Sequence, residues 1–346
     1  FLSARQFAGR SGFQENDVRS AFISFIGAAV LGLSSAASAA DKPNGVIRTL
    51  AQGIPHSAFF GISFDAGQGV VVGMGGAIST STDAGTTWAP VKQDVTDSAL
   101  LAVERRGSHT IAVGQAGLIL IEESPGKWAK GESGIQNRLL SVSVNSAGLA
   151  IAGGEFGTLI RSEDGGKTWA AAAPDWSQYA DESAPGTGEP TIYSVHVAES
   201  GDITIAGEFG LIFRLDAGSD KWRVLNPLVA GTATIFATHM SDSHTRNSYA
   251  VGQRGQVLIS TDGGETWFEN RVKTESNFLG VAAAPGGKVV ITGMRVMATS
   301  KDGGITWNQV VEGDVTTDWY QAVRTEKNSG KVMAVGHSGR IIEING

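Results

Sequence analysis

Seven times along the chain a short apolar run stops at a glycine, passes through two variable residues, and resumes as a second apolar run. The copies are "VVGMGGAI" from residue 71, "AVGQAGLI" from 112, "AGGEFGTL" from 152, "IAGEFGLI" from 205, "AVGQRGQV" from 250, "ITGMRVMA" from 291 and "AVGHSGRI" from 334. Upstream of each lies a further apolar stretch: "AFFGISF", "ALLAVER", "LLSVSVN", "TIYSVHV", "TIFATHM", "NFLGVAA" and "WYQAVRT". Runs of this length, rich in β-branched and aromatic residues and separated by Gly or Asp, predict short strands joined by tight turns. The first glycines, Gly73, Gly114, Gly154, Gly207, Gly252, Gly293 and Gly336, recur at spacings of 40 to 53 residues. Four strands per repeat at this period predict propeller blades, named here A to D from the axis outward.

Between strands C and D the chain repeats one turn: "STDAGTTW" (81–88), "SEDGGKTW" (162–169), "STDGGETW" (260–267) and "SKDGGITW" (300–307). This is the Asp-box, or BNR repeat. Asp83, Asp164, Asp262 and Asp302 are expected to accept main-chain N–H groups of their own turns. Trp88, Trp169, Trp267 and Trp307 are expected to anchor each turn to its blade. Remnants at 122–128 and 215–222 both retain the Trp. A calcium reading is disfavoured, because an EF-hand-like loop needs several alternating carboxylates and each box has one reliable carboxylate.

The chain ends support a closed ring. The seventh repeat stops after strand C at "RIIEING", and "GVIRTLAQ" (45–52) precedes the first repeat as an orphan strand. The expected fold is therefore all-β: a seven-bladed β-propeller of four antiparallel strands per blade, occupying 41–346, with the N-terminal strand completing the last blade. Upstream, Arg19, the apolar run 21–33 and "SSAASAAD" form the pattern of an export signal cut after Ala39 or Ala40. Residues 1–17 are atypical for such a signal, with Glu15 and Asp17 where basic residues belong; a start at Val18 is expected. The apolar run is short for a span, so the processed protein is not expected to cross the membrane.

Composition narrows the chemistry. A formal net charge of −7 argues against a nucleic-acid partner. The chain has no Cys, which removes disulfides, thiolate metal sites and cysteine nucleophiles. Six His are scattered without metal-ligand spacing, and no Gly-x-Ser-x-Gly elbow occurs. No metal, cofactor or catalytic residue is expected. Asp-boxes also occur in sialidases, so a carbohydrate-active protein is the alternative; against it, Arg48 lacks the following Ile-Pro of that family, and Tyr193 and Tyr249 fall within strands.

In a propeller the B–C turns and D–A connections share one face, and the Asp-boxes occupy the other. The turn residues Glu155, Phe156, Glu208, Phe209, Arg254, Arg295 and His337, with Arg340 close by, therefore form an acidic-aromatic half and a basic half of one rim. Two readings stand: mutual neutralisation of Glu and Arg, or a polar docking site. The long D–A connection 171–190 brings Trp176 and Tyr179 to the same face, where an exposed aromatic pair suits a protein contact.

Seven such repeats with interspersed Asp-boxes and an export signal resemble the photosystem II assembly and stability factor-like propellers. The resemblance spans roughly residues 45–346. It implies a non-catalytic protein of the thylakoid lumen or periplasm that holds an integral membrane protein or complex during assembly through an arginine-rich surface. Relatives in non-photosynthetic bacteria are often encoded beside RND-type transporters. Arg254, Arg295 and Arg340 are the residues nearest to that surface, whereas the acidic Glu155 and Glu208 half departs from the family.

Overall fold

The computed structural model describes residues 45–179, 188–227, 232–241 and 246–346. The export-signal reading of residues 1–40 lies outside the described residues, as does part of the 171–190 connection. Seven four-stranded antiparallel sheets follow one another. Their inner A strands are Phe59–Asp65, Leu100–Arg106, Leu139–Val144, Ile192–Val197, Ile235–His239, Phe278–Ala284 and Tyr320–Thr325, which number blades 1 to 7. The seventh sheet takes its outermost strand from the other end of the chain. Ile47–Ala51 pairs antiparallel with Ile341–Ile344, closing the ring as the sequence predicts.

The B strands explain why the ring must close. Residues 150–154, 203–207, 248–252 and 332–336 are buried at every position, so both faces of each sheet are covered. A single twisted sheet cannot supply both covers, and the core clusters accordingly run across seams between blades. Ile47 belongs to one such cluster, with Val290 and Met297 of blade 6. Inner strands are also joined directly. Ser63 Oγ of blade 1 accepts from Arg105 N of blade 2, and Ser141 and Ser143 of blade 3 accept from Val195 N and Val197 N of blade 4, at 3.0 to 3.1 Å.

The Asp-boxes form the expected internal bonds and one unexpected connection. In Asp164, Oδ1 accepts from Ser162 Oγ (2.7 Å), Lys167 N (2.9 Å) and Thr168 N (3.0 Å), while Oδ2 accepts from Thr168 Oγ1 (2.7 Å). The Ser, Thr N–H and Thr hydroxyl bonds recur at Asp83, Asp262 and Asp302. The tryptophans do more than anchor the turn to its own blade. Trp88 packs on a cluster holding Met333 of blade 7, Trp169 on one holding Ile111 of blade 2, Trp267 on Ala206 and Ile212 of blade 4, and Trp307 on Tyr249 of blade 5. Each box thus staples its blade to the preceding one. Trp128, in a remnant box, fills the same seam against Val70 and Val72 of blade 1, which explains why the Trp outlasts the Asp.

Removal of residues 41–52 is expected to cause aggregation or a large fall in melting temperature. The lost strand carries several ladder bonds of about 0.5–1.5 kcal/mol each, against a typical total stability of about 5–15 kcal/mol. A truncated protein melting within a degree or two of the full chain would contradict this.

The boxes also set an acid response. Bonds from the Thr N–H and hydroxyl groups hold Asp83, Asp164 and Asp302 at about 2, below the ordinary 3.8, and push Asp262 down further. A carboxyl lowered on folding stabilises above its unfolded value, and that contribution is lost as pH falls toward its folded value. Melting temperature should therefore drop between roughly pH 4 and pH 2. Replacing all four with Asn should lower the melting temperature at neutral pH and flatten the acid slope; an unchanged slope would place its origin elsewhere.

Candidate functional site: the face of the B–C turns

One close approach builds every B–C turn. The N–H of the residue after the first glycine donates to the carbonyl just before strand A, from Met74 N to Ala58 O (3.0 Å) in blade 1 to His337 N to Trp319 O (3.2 Å) in blade 7. That same carbonyl lies where a Cβ on the first glycine would be, at 2.0 to 2.2 Å in all seven blades. No side chain fits there, which accounts for Gly73, Gly114, Gly154, Gly207, Gly252, Gly293 and Gly336. The second variable residue of each turn then takes a positive φ: Gly75 (63°), Ala116 (52°), Phe156 (54°), Phe209 (59°), Arg254 (53°), Arg295 (58°) and Ser338 (51°). Such a conformation costs an L-residue roughly 1–2 kcal/mol. Glycine removes that cost, yet only blade 1 uses it.

The same contact produces a β-bulge at the second position of every A strand. Register shifts occur at 59/61, 100/102, 139/141, 192/194, 235/237, 278/280 and 320/322. The bulged residues Phe60, Leu101, Leu140, Tyr193, Phe236, Leu279 and Gln321 are all half-buried. Tyr193 meets Phe236 of the next blade edge-on at 5.0 Å, and Phe60 stacks on Trp319 at 5.9 Å. This belt of bulged side chains is absent from the sequence reading. Its signal is the paired bulky residues "FF", "LL", "LL", "IY", "IF" and "FL", which break strand alternation in the way a bulge requires.

The acidic half is largely engaged within the protein. Glu155 pairs with Arg138 at 2.7 Å, and Glu208 Oε2 accepts Thr191 N–H at 2.7 Å. Gln253 Oε1 accepts Thr234 N–H in the same way (3.2 Å), so the first turn residue often caps the entry to strand A. Burial, followed by the charges of Glu208 and Glu155, pushes the Tyr193 hydroxyl up. Phe156 stands 67% exposed, joined by Met74 and Met294 from other turns. Phe209 is only half-exposed and packs on the seam between blades 3 and 4.

Trp176 and Tyr179 do not form an exposed rim. Trp176 is 8% exposed, donates from Nε1 to the Gly157 carbonyl (3.0 Å), and packs with Phe213 at 6.1 Å. Tyr179 meets Phe213 edge-on at 4.8 Å. Both cover the apolar seam of blades 3 and 4, where burial of aromatic surface outweighs exposure.

The basic half divides likewise. Arg254 and Arg295 are exposed. Arg340 and His337 instead converge on Asp314, a residue the sequence reading missed although it lies in the D–A connection of this face. Asp314 Oδ2 is 2.7 Å from both Arg340 Nη1 and His337 Nε2, and its Oδ1 accepts from Tyr320 Oη at 2.8 Å. Asp314, Asp318 and His337 have metal-ligand atom types within 4.8 Å of one another. The Arg340 guanidinium already occupies Asp314, so this is an ion-pair network set against a further cation. Tyr320 is 1% exposed, and burial with the Asp314 charge pushes its hydroxyl well above the usual range. It is neither accessible nor activated as a sialidase-type nucleophile. Arg48, weighed in the sequence for that alternative, pairs with Glu343 on the last blade.

Seven four-stranded blades, Asp-box staples on one face and glycine-framed variable turns on the other define a seven-bladed β-propeller of the Asp-box class. Residues 52–344 match the family described as photosynthesis system II assembly factor YCF48, and the chain belongs to that family. Among solved structures it is similar to YCF48 bound to a D1 peptide, at 18% identity and TM-score 0.66 over 88% of this chain and 99% of that one. YCF48 from Cyanidioschyzon merolae gives 19% identity and TM-score 0.67 over 87% and 99% of the two chains. The WD40 β-propeller domain of Doa1 gives 13% and 0.62 over 86% and 96%. At these identities the structures establish the fold. No curated protein matches the chain in sequence.

Adjacent turn positions should respond with opposite signs. Gly154→Ala places a methyl against the Arg138 carbonyl and should destabilise by about 1–3 kcal/mol or more. Phe156→Gly relieves the positive φ and should be neutral or stabilising by up to about 1 kcal/mol, since added unfolded-state entropy offsets part of the gain. Urea unfolding measures both; destabilisation by Phe156→Gly comparable to that by Gly154→Ala would refute this account of the turn.

Proposed function

We propose that the protein is a non-catalytic, exported scaffold whose B–C face binds an integral membrane protein on its periplasmic side and aids its assembly or stability. The observation that carries this reading is the exposure of Phe156, Arg254 and Arg295 at positive φ. Strain of this kind persists where function requires the side chain. The Asp-boxes repeat with little change because they hold seams together; the turns keep their glycine frame while their two outward residues vary. Membership of the YCF48 family supports the assembly role, and a relative bound to a D1 peptide supports a membrane-protein partner. The export pattern of residues 1–40 supports the location. Thylakoid lumen replaces periplasm in an oxygenic phototroph, and an RND-type transporter is the partner this reading favours in a non-photosynthetic host.

Phe156 is the apolar anchor, and Met74 and Met294 add exposed flexible side chains on the turns of blades 1 and 6. Arg254 and Arg295 meet acidic or carboxylate groups of the partner. His337 and Arg340 form a fixed charged rim through Asp314, Glu155 and Glu208 hold the turns, and Phe209, Trp176 and Tyr179 support the face from beneath.

Crosslinking and pull-down from native membranes should capture an integral membrane protein. Phe156→Ala or the pair Arg254→Glu with Arg295→Glu should then weaken capture by about thirtyfold, the effect of losing about 2 kcal/mol at an interface centre, with melting nearly unchanged. Retention by these variants, with loss on substitution beside Asp164 or Asp262, would move the working surface to the opposite face.

A further inference from the structure

The inner strands surround an axial cavity of about 650 Å³ lined from all seven blades, from Ser63 in blade 1 to Arg324 in blade 7. Ser241, Gly287 and Lys327 place its mouth among the A–B turns. Those turns adjoin the Asp-boxes, as the bond from Gly303 N to the Gly287 carbonyl (2.8 Å) shows. The cavity therefore opens on the face opposite to the B–C turns.

Its charge runs against that of the chain. The protein carries −7, yet Arg106, Lys288, Arg324 and Lys327 line the cavity with Glu104 as the one carboxylate among the described lining residues. Arg324 Nη1 donates to the Val323 carbonyl (3.1 Å) and Lys288 Nζ to the Ile344 carbonyl (2.7 Å). The Val323 carbonyl is neutral and leaves the Arg324 charge uncompensated, whereas Lys288 also feels the carboxylate of Glu343 and contributes less. Arg106 Nε lies 3.3 Å from Glu199 Oε1 and contributes less to the net field. Ser63, Ser141 and Ser143 accept main-chain N–H groups of the next blade, so each keeps a hydroxyl hydrogen to donate inward. A concave site of one sign with low-dielectric walls concentrates counter-charge, and the volume falls in the usual range for small-ligand sites.

We propose that this channel binds a small polyanion, a molecule bearing two or more carboxylate or phosphate groups, entering from the Asp-box face. The site is independent of the partner surface on the other face.

Calorimetric titration of the full chain with citrate, with pyrophosphate and with trehalose as a neutral control tests it. The expected result is saturable one-to-one binding of at least one anion, weakened by added salt, and none of trehalose. Saturation by citrate alone assigns a carboxylate ligand, and by pyrophosphate alone a phosphate ligand. Arg324→Gln and Lys327→Gln should each weaken binding by about tenfold, the loss of one charge-assisted hydrogen bond. Lys327 is exposed on a turn, so its variant reports binding even if Arg324→Gln alters melting. Arg254→Glu with Arg295→Glu should leave anion binding unchanged. Absence of saturation with both anions, binding indifferent to Arg324→Gln and Lys327→Gln, or binding abolished by the Arg254 and Arg295 changes would overturn the proposal.

Discussion

The approach of a main-chain carbonyl to the first glycine of each B–C turn is the contact from which the face of the B–C turns follows. At about 2 Å from the position of a Cβ, the carbonyl leaves room for hydrogen alone. The N–H of the next residue must then bond that carbonyl, strand A must bulge one residue later, and the second turn residue must adopt positive φ. Seven blades obey this geometry although their turn residues include Met, Gln, Glu and His. A rigid frame with two variable positions per blade is the consequence. Variation can accumulate at those positions without disturbing the sheet behind them.

The two faces divide the work of the molecule. On one, Ser/Thr-to-Asp bonds shape each Asp-box turn while its tryptophan packs on the preceding blade, and the same physical demand reproduces the same residues. On the other, residues of opposite charge stand in different blades, and several prove to be partners of nearby groups rather than free contacts. Glu208 caps a strand entry, and Arg340 with His337 holds Asp314. What stays available is a smaller set centred on Phe156, Arg254 and Arg295. The rim Glu and Arg residues do not neutralise one another across the mouth: Glu155 pairs with Arg138, and Arg340 with Asp314.

Between the faces, the inner strands stitch neighbouring blades through serine hydroxyls while leaving a cationic axial cavity in an acidic protein. The stitching needs small polar side chains on strand A, and those side chains keep the channel open. Larger apolar residues at Ser63, Ser141 and Ser143 would fill the axis and remove bonds that join the blades. Polarity along the axis therefore follows from the way adjacent inner strands are joined, whatever the channel binds.

The sequence by itself determined the repeat, the blade count, the strand order, the closing strand and the turn staples. Each rests on local chemistry: strand alternation, glycine at a close approach, Asp beside main-chain N–H groups, and a missing last strand matched by an orphan first one. Tertiary structure alone decided which rim residues are free. Trp176 and Tyr179 read as exposed loop aromatics, yet the uncovered seam of blades 3 and 4 draws both inward. Arg340 reads as a contact cation, yet Asp314, 26 residues earlier in the chain, neutralises it. The seam role of Trp169 and its counterparts was equally hidden, because the surface each covers belongs to the preceding blade. Local pattern reports what a residue does to its own backbone; exposure and pairing depend on distant residues brought close, and only the closed ring sets those neighbours.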